Sequence, residues 1–183
     1  MNNKYVLIDF ETANSDLSSA CQIGIIVVEN NQIIEQYSSL IKPEPNIFSR
    51  FNISIHHITP DMVADAPTFD EVWCEINKYF KSDIPVIAHN ASFDIGVLRK
   101  LDQQYNLNIN NFNYGCSVYM LKKVFNLPKA GLGYLTEINN IHFGHHDALE
   151  DVKATKQVID IYFKNTNNFL TLPIHHGYRF KKY

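Results

Sequence analysis

The stretch YVLIDF at residues 5–10 predicts the central strand of the fold. It is rich in β-favouring residues and mostly apolar, as is typical of a strand buried in the middle of a sheet. The apolar run QIGIIVV at residues 22–28 predicts a second strand. A polar turn at residues 29–31 then leads to residues 32–41, which we interpret as the hairpin partner of that strand.

Strands and helices alternate in the rest of the chain. Short apolar runs predict strands at residues 85–88 and 112–116. Start signals and apolar periodicity predict helices from Thr59-Pro60-Asp61, from Thr68 with Glu71 completing a capping box, over 93–105, from Gly131 to about residue 138, and over 147–163. Three strands followed by alternating strands and helices indicate an α/β domain on a mixed sheet.

Length and composition bound the class of protein. The chain has 183 residues, of which 45% are hydrophobic and 19% charged, so we expect one globular domain. Its formal net charge of −3 argues against binding nucleic acid by bulk positive charge. Three widely spaced cysteines indicate a reducing compartment, and the N-terminal apolar run is too short for a signal peptide or membrane span. We therefore expect a soluble, cytoplasmic protein with no membrane partner.

Asp9 and Glu11 form the first acidic motif, D-x-E, at the end of the central strand. Residues two apart on a strand point to the same face, so the two carboxylates repel each other unless a positive charge lies between them. A hard cation such as Mg²⁺ prefers such oxygen ligands. The alternative is that both carboxylates are simply solvated where the strand ends.

Two further motifs lie where ligands bind in open α/β sheets. The sequence AHNASFD at residues 88–94 spans a strand-to-helix turn, although Asp94 also suits a first-turn acid that faces the helix dipole. The sequence HDALED at residues 146–151 opens the last helix. Asp151 lies one turn into this helix and His146 just precedes it, so both can face one cleft. Taken alone, His146 also suits a capping or surface histidine.

The ordered set D-x-E, A-H-N-A-x-F-D and H-x-A-x-x-D closely resembles the DEDDh family of 3′→5′ exonucleases over residues 4–163. Residues 19–24 (SACQIG) and 55–60 (IHHITP) resemble its branch of epsilon proofreading subunits of bacterial replicative DNA polymerase. The resemblance implies a ribonuclease H-like fold with a central five-stranded mixed sheet flanked by helices. It also implies two divalent cations, Mg²⁺ or Mn²⁺, and a set of site residues: Asp9, Glu11, Asp94 and Asp151 as metal ligands and His146 as general base.

The same resemblance implies where substrate binds. The implied contacts are the backbone around Thr12 and Ala13, together with His57, Asn90 and Phe93. His57 occupies the place of a family glycine, and Phe93 also suits a packing role. His145 is an alternative base if the third motif is shifted by one residue.

We therefore expect a metal-dependent 3′→5′ exonuclease that binds nucleic acid with a free 3′ end, favours DNA over RNA, and releases nucleoside 5′-monophosphates. One alternative is an exoribonuclease on short RNA. The other is a non-catalytic module that binds nucleic acid or a polymerase, but such a module would be expected to lack a carboxylate or the base.

Residues 1–165 are predicted to form the exonuclease domain, and residues 166–183 a basic and aromatic C-terminal tail. A frayed, solvated terminus is the favoured interpretation of this tail, and contact with a phosphate backbone is the alternative. A DNA polymerase is a candidate partner. The shortness of the tail favours a stand-alone nuclease.

Overall fold

The computed structural model describes residues 4–144, 146–163 and 178 of the chain. Its centre is a sheet of strands in the order β3-β2-β1-β4-β5. The strands are β1 (Lys4–Thr12), β2 (Ala20–Glu29), β3 (Gln32–Leu40), β4 (Val86–Ala88) and β5 (Tyr114–Cys116). Strands β1, β2 and β3 pair antiparallel, whereas β4 pairs parallel with both β1 and β5. The predicted five-stranded mixed sheet is therefore confirmed.

Six α-helices and one short 3₁₀ turn (Asn77–Tyr79) surround this sheet in the described residues. The helices are α1 (Arg50–His56), α2 (Phe69–Ile76), α3 (Ser92–Tyr105), α4 (Ser117–Phe125), α5 (Leu132–Ile138) and α6 (Ala148–Phe163). The capping box predicted at Thr68 begins α2, where the Glu71 carboxylate accepts a hydrogen bond of 2.9 Å from the Thr68 N–H.

Strand β1 is buried on both faces of the sheet. Val6, Ile8 and Phe10 lie in a core cluster with side chains of α2 and α3. Tyr5 and Leu7 point the opposite way, into a second cluster with side chains of α4, α5 and α6. Because helices cover both faces, the strand is an almost unbroken apolar run.

The prediction of a helix that begins at Thr59-Pro60-Asp61 is wrong, because residues 60–65 form turns. The N–H of Met62 donates to the carbonyl of Thr59 at 3.1 Å, and the N–H of Ala66 donates to that of Val63 at 3.1 Å. These are i→i+3 bonds, and Pro67 follows them, so the segment is not extended into a helix.

Two helices, α1 and α4, were not predicted from the sequence. Helix α1 begins after Ser49, whose hydroxyl accepts a hydrogen bond of 3.0 Å from the N–H of Asn52.

No helix among the described residues is long and apolar enough to cross a membrane.

Tyr178 is the part of the predicted tail that the structure describes. Its ring stacks on Phe112 with a centroid distance of 4.8 Å, and its N–H donates to the Phe112 carbonyl at 2.8 Å. At Tyr178 the expectation of a solvated terminus is wrong, because the residue is buried in the core. The other residues of the 166–183 tail lie outside the described part of the chain.

Candidate active site

The first acidic motif lies on the face of β1 that α6 covers. Asp9 and Glu11 continue the set begun by Tyr5 and Leu7, because side chains two apart on a strand share a face. Asp9 lies opposite Gly24 of β2 in the antiparallel register. The parallel strand β4 ends at the same edge, so the turn into α3 lies beside the two carboxylates.

Asp94 brings the second motif to the first. It lies in the first turn of α3 and is buried, with 1% of its surface exposed. Its Oδ1 accepts a hydrogen bond of 3.1 Å from the N–H of Phe10, the residue between Asp9 and Glu11. Its Oδ2 is also buried and has no hydrogen-bond partner among the described residues.

The start of α6 brings the third motif to the same place. The backbone of Ala148 packs directly on β2, where a Cβ atom added to Gly24 would lie 2.3 Å from the Ala148 carbonyl carbon. As a result, ligand atoms of Glu11, His146 and Asp151 all lie within 4.8 Å of one another. The structure therefore brings residues from all three motifs into one cleft.

His146 is exposed and has a left-handed backbone, with φ of 65°. A positive φ is uncommon in residues other than glycine, and here it lies just before α6 begins. His145, the alternative base, lies outside the described residues.

The acids of this cleft repel one another. Burial raises the pKa of Asp9 well above its usual range, and the nearby Asp94, Asp151 and Glu11 add to the rise. Burial, followed by the charges of Asp151 and Asp94, raises the pKa of Glu11 to about 8. Burial also raises the pKa of Asp94, although the hydrogen bond from Phe10 opposes this effect.

These observations fit a site for divalent cations. Several carboxylates share a small volume, and the buried Asp94 Oδ2 is left without a hydrogen bond among the described residues. A cation bound between such groups offsets their repulsion, and hard cations prefer oxygen ligands. The cluster of Glu11, His146 and Asp151 places two of these carboxylates beside an imidazole.

The predicted substrate contacts at Thr12 and Ala13 are already used within the fold. The Thr12 carbonyl accepts hydrogen bonds from Asn52 Nδ2 at 2.8 Å and from His56 Nε2 at 3.2 Å. The N–H of Ala13 donates to the Ser19 carbonyl at 2.8 Å. A bond from this N–H to substrate would require it to leave Ser19.

The other three predicted contacts differ in exposure. His57 and Asn90 are exposed and have left-handed backbones, with φ of 61° and 70°. His57 thus adopts a conformation that favours glycine. Phe93 is half-buried and packs against the core cluster of α2 and α3.

Three residues at the site were not singled out from the sequence: Gln22, His56 and Asp147. Asp147 is the N-cap of α6, where its Oδ1 accepts hydrogen bonds from the N–H groups of Leu149 and Glu150 at 3.0 and 3.1 Å. An aspartate directly before a periodic helix is a recognised start signal. Gln22 contacts Asp147 across 125 positions, so no local pattern could have identified it.

His56 supports the residue that follows the first motif. Its Nδ1 accepts a hydrogen bond of 3.0 Å from the N–H of Ile58, which assigns the ring proton to Nε2 and makes that atom the donor to Thr12. Burial lowers the pKa of His56, with a weaker contribution from His146 in the same direction. The neutral ring therefore acts as a fixed donor.

Comparison with known sequences identifies the family. Residues 6–159 match the RNase_T family, described as Exonuclease. The DNA polymerase III PolC-type of Clostridium perfringens is 29% identical over 172 residues, which are 89% of this chain and 11% of that protein. The 3′-5′ exonuclease DinG of Staphylococcus saprophyticus is 32% identical over 174 residues, covering 93% of this chain and 19% of that protein. The chain thus spans a minor part of these relatives.

Solved structures show the same fold. A structure of Exonuclease X in complex with 5′ overhanging duplex DNA has a TM-score of 0.71 and 26% identity, and the match covers 88% of this chain and 92% of that one. A 3′-exonuclease that recognises a histone mRNA stem-loop has a TM-score of 0.76 and 17% identity, covering 90% and 65%. Because the family match spans residues 6–159 and includes all three acidic motifs, this chain belongs to the RNase_T family of exonucleases, with the motifs of its DEDDh type.

Proposed function

We propose that this chain hydrolyses phosphodiester bonds at the 3′ ends of DNA, with divalent cations, and releases nucleoside 5′-monophosphates. The observation that carries the proposal is the convergence of Glu11, His146 and Asp151 ligand atoms within 4.8 Å of one another. The names of the PolC-type polymerase relatives and the DNA complex of Exonuclease X favour DNA as the substrate.

Four acids are proposed to hold two cations, Mg²⁺ or Mn²⁺: Asp9, Glu11, Asp94 and Asp151. Two divalent cations at this position would stabilise negative charge on both the attacking and the leaving oxygen of an in-line displacement. The four carboxylates would hold the cations, and Asp94 is itself held by the N–H of Phe10.

His146 is proposed to act as the general base. Histidine side chains exchange protons readily near neutral pH, and this imidazole is exposed to water beside Glu11 and Asp151. It accepts a proton from the attacking water, whose oxygen forms a bond to phosphorus. The bond from phosphorus to the 3′-oxygen breaks, and that oxygen takes up a proton from solvent water to become the new 3′-hydroxyl.

Substrate binding is proposed to depend on the cations. The chain has a net charge of −3, and several of its acids lie together at the site, where they repel phosphate when they are ionised. The exposed side chains of His57 and Asn90 remain the proposed protein contacts to the terminal nucleotide. We therefore expect DNA to bind weakly without divalent cations and more tightly with them.

Digestion of single-stranded DNA and RNA of matched sequence tests this proposal. Each strand is labelled at its 3′ or 5′ end and incubated with Mg²⁺, Mn²⁺ or EDTA, with Asp9→Asn as the matched control. Metal-dependent release of mononucleotides from the 3′ end of DNA is the expected result. Faster digestion of RNA would favour the exoribonuclease alternative. No cleavage of either strand by folded, metal-bound protein would favour a binding module.

A DNA polymerase is retained as a proposed partner, because PolC-type polymerases contain a segment similar to this chain. Size-exclusion chromatography of the chain with a bacterial replicative polymerase tests it. Co-elution that survives physiological salt would support the partnership, whereas separate elution would support a stand-alone nuclease.

A further inference from the structure

We propose that Gln22 is a positioning residue for the reaction. Its carboxamide binds the start of α6 to β2, the strand that pairs with Glu11. It thereby holds His146 and Asp151, which lie at that helix start, in position. Gln22 lies on β2, pairs with Glu11 in the antiparallel register and is 7% exposed. This inference rests on the proposed function.

Both polar atoms of the Gln22 side chain bind consecutive residues at the start of α6. Oε1 accepts a hydrogen bond of 3.1 Å from the N–H of Ala148. Nε2 donates one of 2.9 Å to Asp147 Oδ2. The other carboxylate oxygen of Asp147 caps the N–H groups of Leu149 and Glu150. The amide of Gln22 and the carboxylate of Asp147 thus form one hydrogen-bonded unit.

This unit lies between the two functional side chains of the third motif. His146 directly precedes Asp147 in the chain, and the N–H of Asp151 donates to the Asp147 carbonyl at 2.9 Å. A displacement of Asp147 therefore moves the proposed base and one proposed metal ligand together. Gly24 on the same strand lets the backbone of β2 contact the backbone of Ala148. The hydrogen bonds of Gln22 therefore act on a helix start that already packs on β2.

The chemistry of the pair requires an amide opposite a carboxylate. An ionised glutamate in place of Gln22 retains an acceptor for the N–H of Ala148 but has no proton to donate to Asp147. Two carboxylates would then face each other at a place where Asp147 already contributes to the raised pKa of Glu11. The double substitution Q22E/D147N reverses the pair, which restores one donor and one acceptor and leaves the net charge unchanged.

The test is a swap of the two groups. Gln22→Glu, Asp147→Asn and the double variant Q22E/D147N are compared with the wild type in kcat and KM on 3′-labelled single-stranded DNA with saturating Mg²⁺. Asparagine and aspartate are similarly good N-caps, so Asp147→Asn retains the cap of α6. Unfolding transitions establish that each variant is folded under the assay conditions.

Each single variant is expected to lower kcat by about 10- to 100-fold with a smaller change in KM, because small displacements of reacting groups are costly. The double variant is expected to have a kcat above that of either single variant and close to that of the wild type, since the hydrogen bonds between residues 22 and 147 are restored. A double variant that loses as much as the two single variants multiplied, or a Gln22→Glu variant with wild-type kcat, overturns the inference.

A wild-type protein that digests neither DNA nor RNA would refute the proposed function but would not decide this inference. The same set of variants is then titrated with Mn²⁺ by calorimetry. Affinity that is lost in the single variants and recovered in the double variant supports the positioning of Asp151. Equal Mn²⁺ affinity in all of them overturns it.

Discussion

Glu11 and Glu35 are the same side chain in opposite electrostatic surroundings. Glu35 on β3 accepts hydrogen bonds from Lys78 and Tyr79, which lower its pKa. Glu11 on β1 is largely buried and lies near other acids, and both effects raise its pKa to about 8. The ionised form of Glu35 is thus stabilised by Lys78 and Tyr79, whereas the ionised form of Glu11 is destabilised by burial and by neighbouring acids.

The difference separates carboxylates that serve the fold from those proposed to serve the reaction. Among the described residues, lysines form ion pairs with four acids, all outside the proposed metal ligands: Glu29, Glu35, Glu150 and Asp160. Repulsion at the end of β1 costs stability in the absence of a cation, a cost that functional sites commonly carry. The comparison predicts that removing a charge has opposite consequences in the two regions.

Replacing Asp9 with asparagine is expected to have the largest effect on activity. Loss of this carboxylate should lower kcat by at least about 10³-fold, since removal of even one group that stabilises transition-state charge costs about 10²–10³. The melting temperature of the metal-free variant at pH 8 should rise, because one repelling group is gone. Labelled-DNA digestion and thermal unfolding measure the two effects. A variant with wild-type activity would contradict the metal assignment.

His146→Ala removes the base and leaves all the acids in place. The expected loss in kcat is about 10²–10⁴-fold, which is the usual contribution of a general base. The matched control is His145→Ala, which should digest DNA at nearly the wild-type rate. If His145→Ala is the inactive variant, the third motif is shifted by one residue from the assignment made above.

Metal-free protein is expected to lose stability as pH rises from about 4.5 to about 8. Glu11 has an ordinary pKa of 4.5 and a pKa of about 8 in the fold, so the folded state holds a proton that the unfolded state releases. Its contribution is therefore complete below pH 4.5 and lost as pH rises through 8. We expect a fall of about 5–10 °C in melting temperature between pH 5 and pH 8.

Divalent cations should reverse that fall, because they bind the ionised acids of the folded state. Glu11→Gln in EDTA should show a flatter pH dependence than the wild type. An unchanged slope in this variant, or a slope of the opposite sign in the wild type, would show that the acids do not repel one another as described.

Glu35→Gln is expected to have the smallest effect and to show the opposite pH dependence. Its lowered pKa means that its contribution is present above pH 4.5 and lost as pH falls further. Exposed ion pairs contribute little, so the melting temperature at pH 7 should fall by no more than about 4 °C, with unchanged kcat. Thermal unfolding at low and high salt checks this, and a loss of exonuclease activity would remove the contrast with Glu11.

The sequence was sufficient for the sheet and for the three acidic motifs, because these are local patterns. The apolar run around Ile8 predicts a buried strand, and D-x-E places Asp9 and Glu11 on one face of it. The last helix was predicted to within one residue at its start, since residues such as Ala148, Val152 and Ile159 recur on one face at helical spacing.

The remaining features depend on contacts between distant parts of the chain. The bond from the Phe10 N–H to Asp94 joins residues 84 positions apart, and the bond from Gln22 to Asp147 spans 125. Neither hydrogen bond corresponds to a local pattern in the sequence from which it could have been predicted. Local signals also misled at Pro60, whose suitability for a helix start was outweighed by a series of turns ending at Pro67.

The contact at Gly24 has a mechanical consequence. Strand β2 and helix α6 meet there backbone to backbone, so the joint has no side chain that can rotate or compress. Gly96 on α3 instead faces the flexible end of Leu17, at 2.9 Å from where its Cβ atom would lie. A side chain at residue 24 would therefore push the start of α6, which carries Asp151, away from β2, whereas a side chain at residue 96 would displace only the end of Leu17.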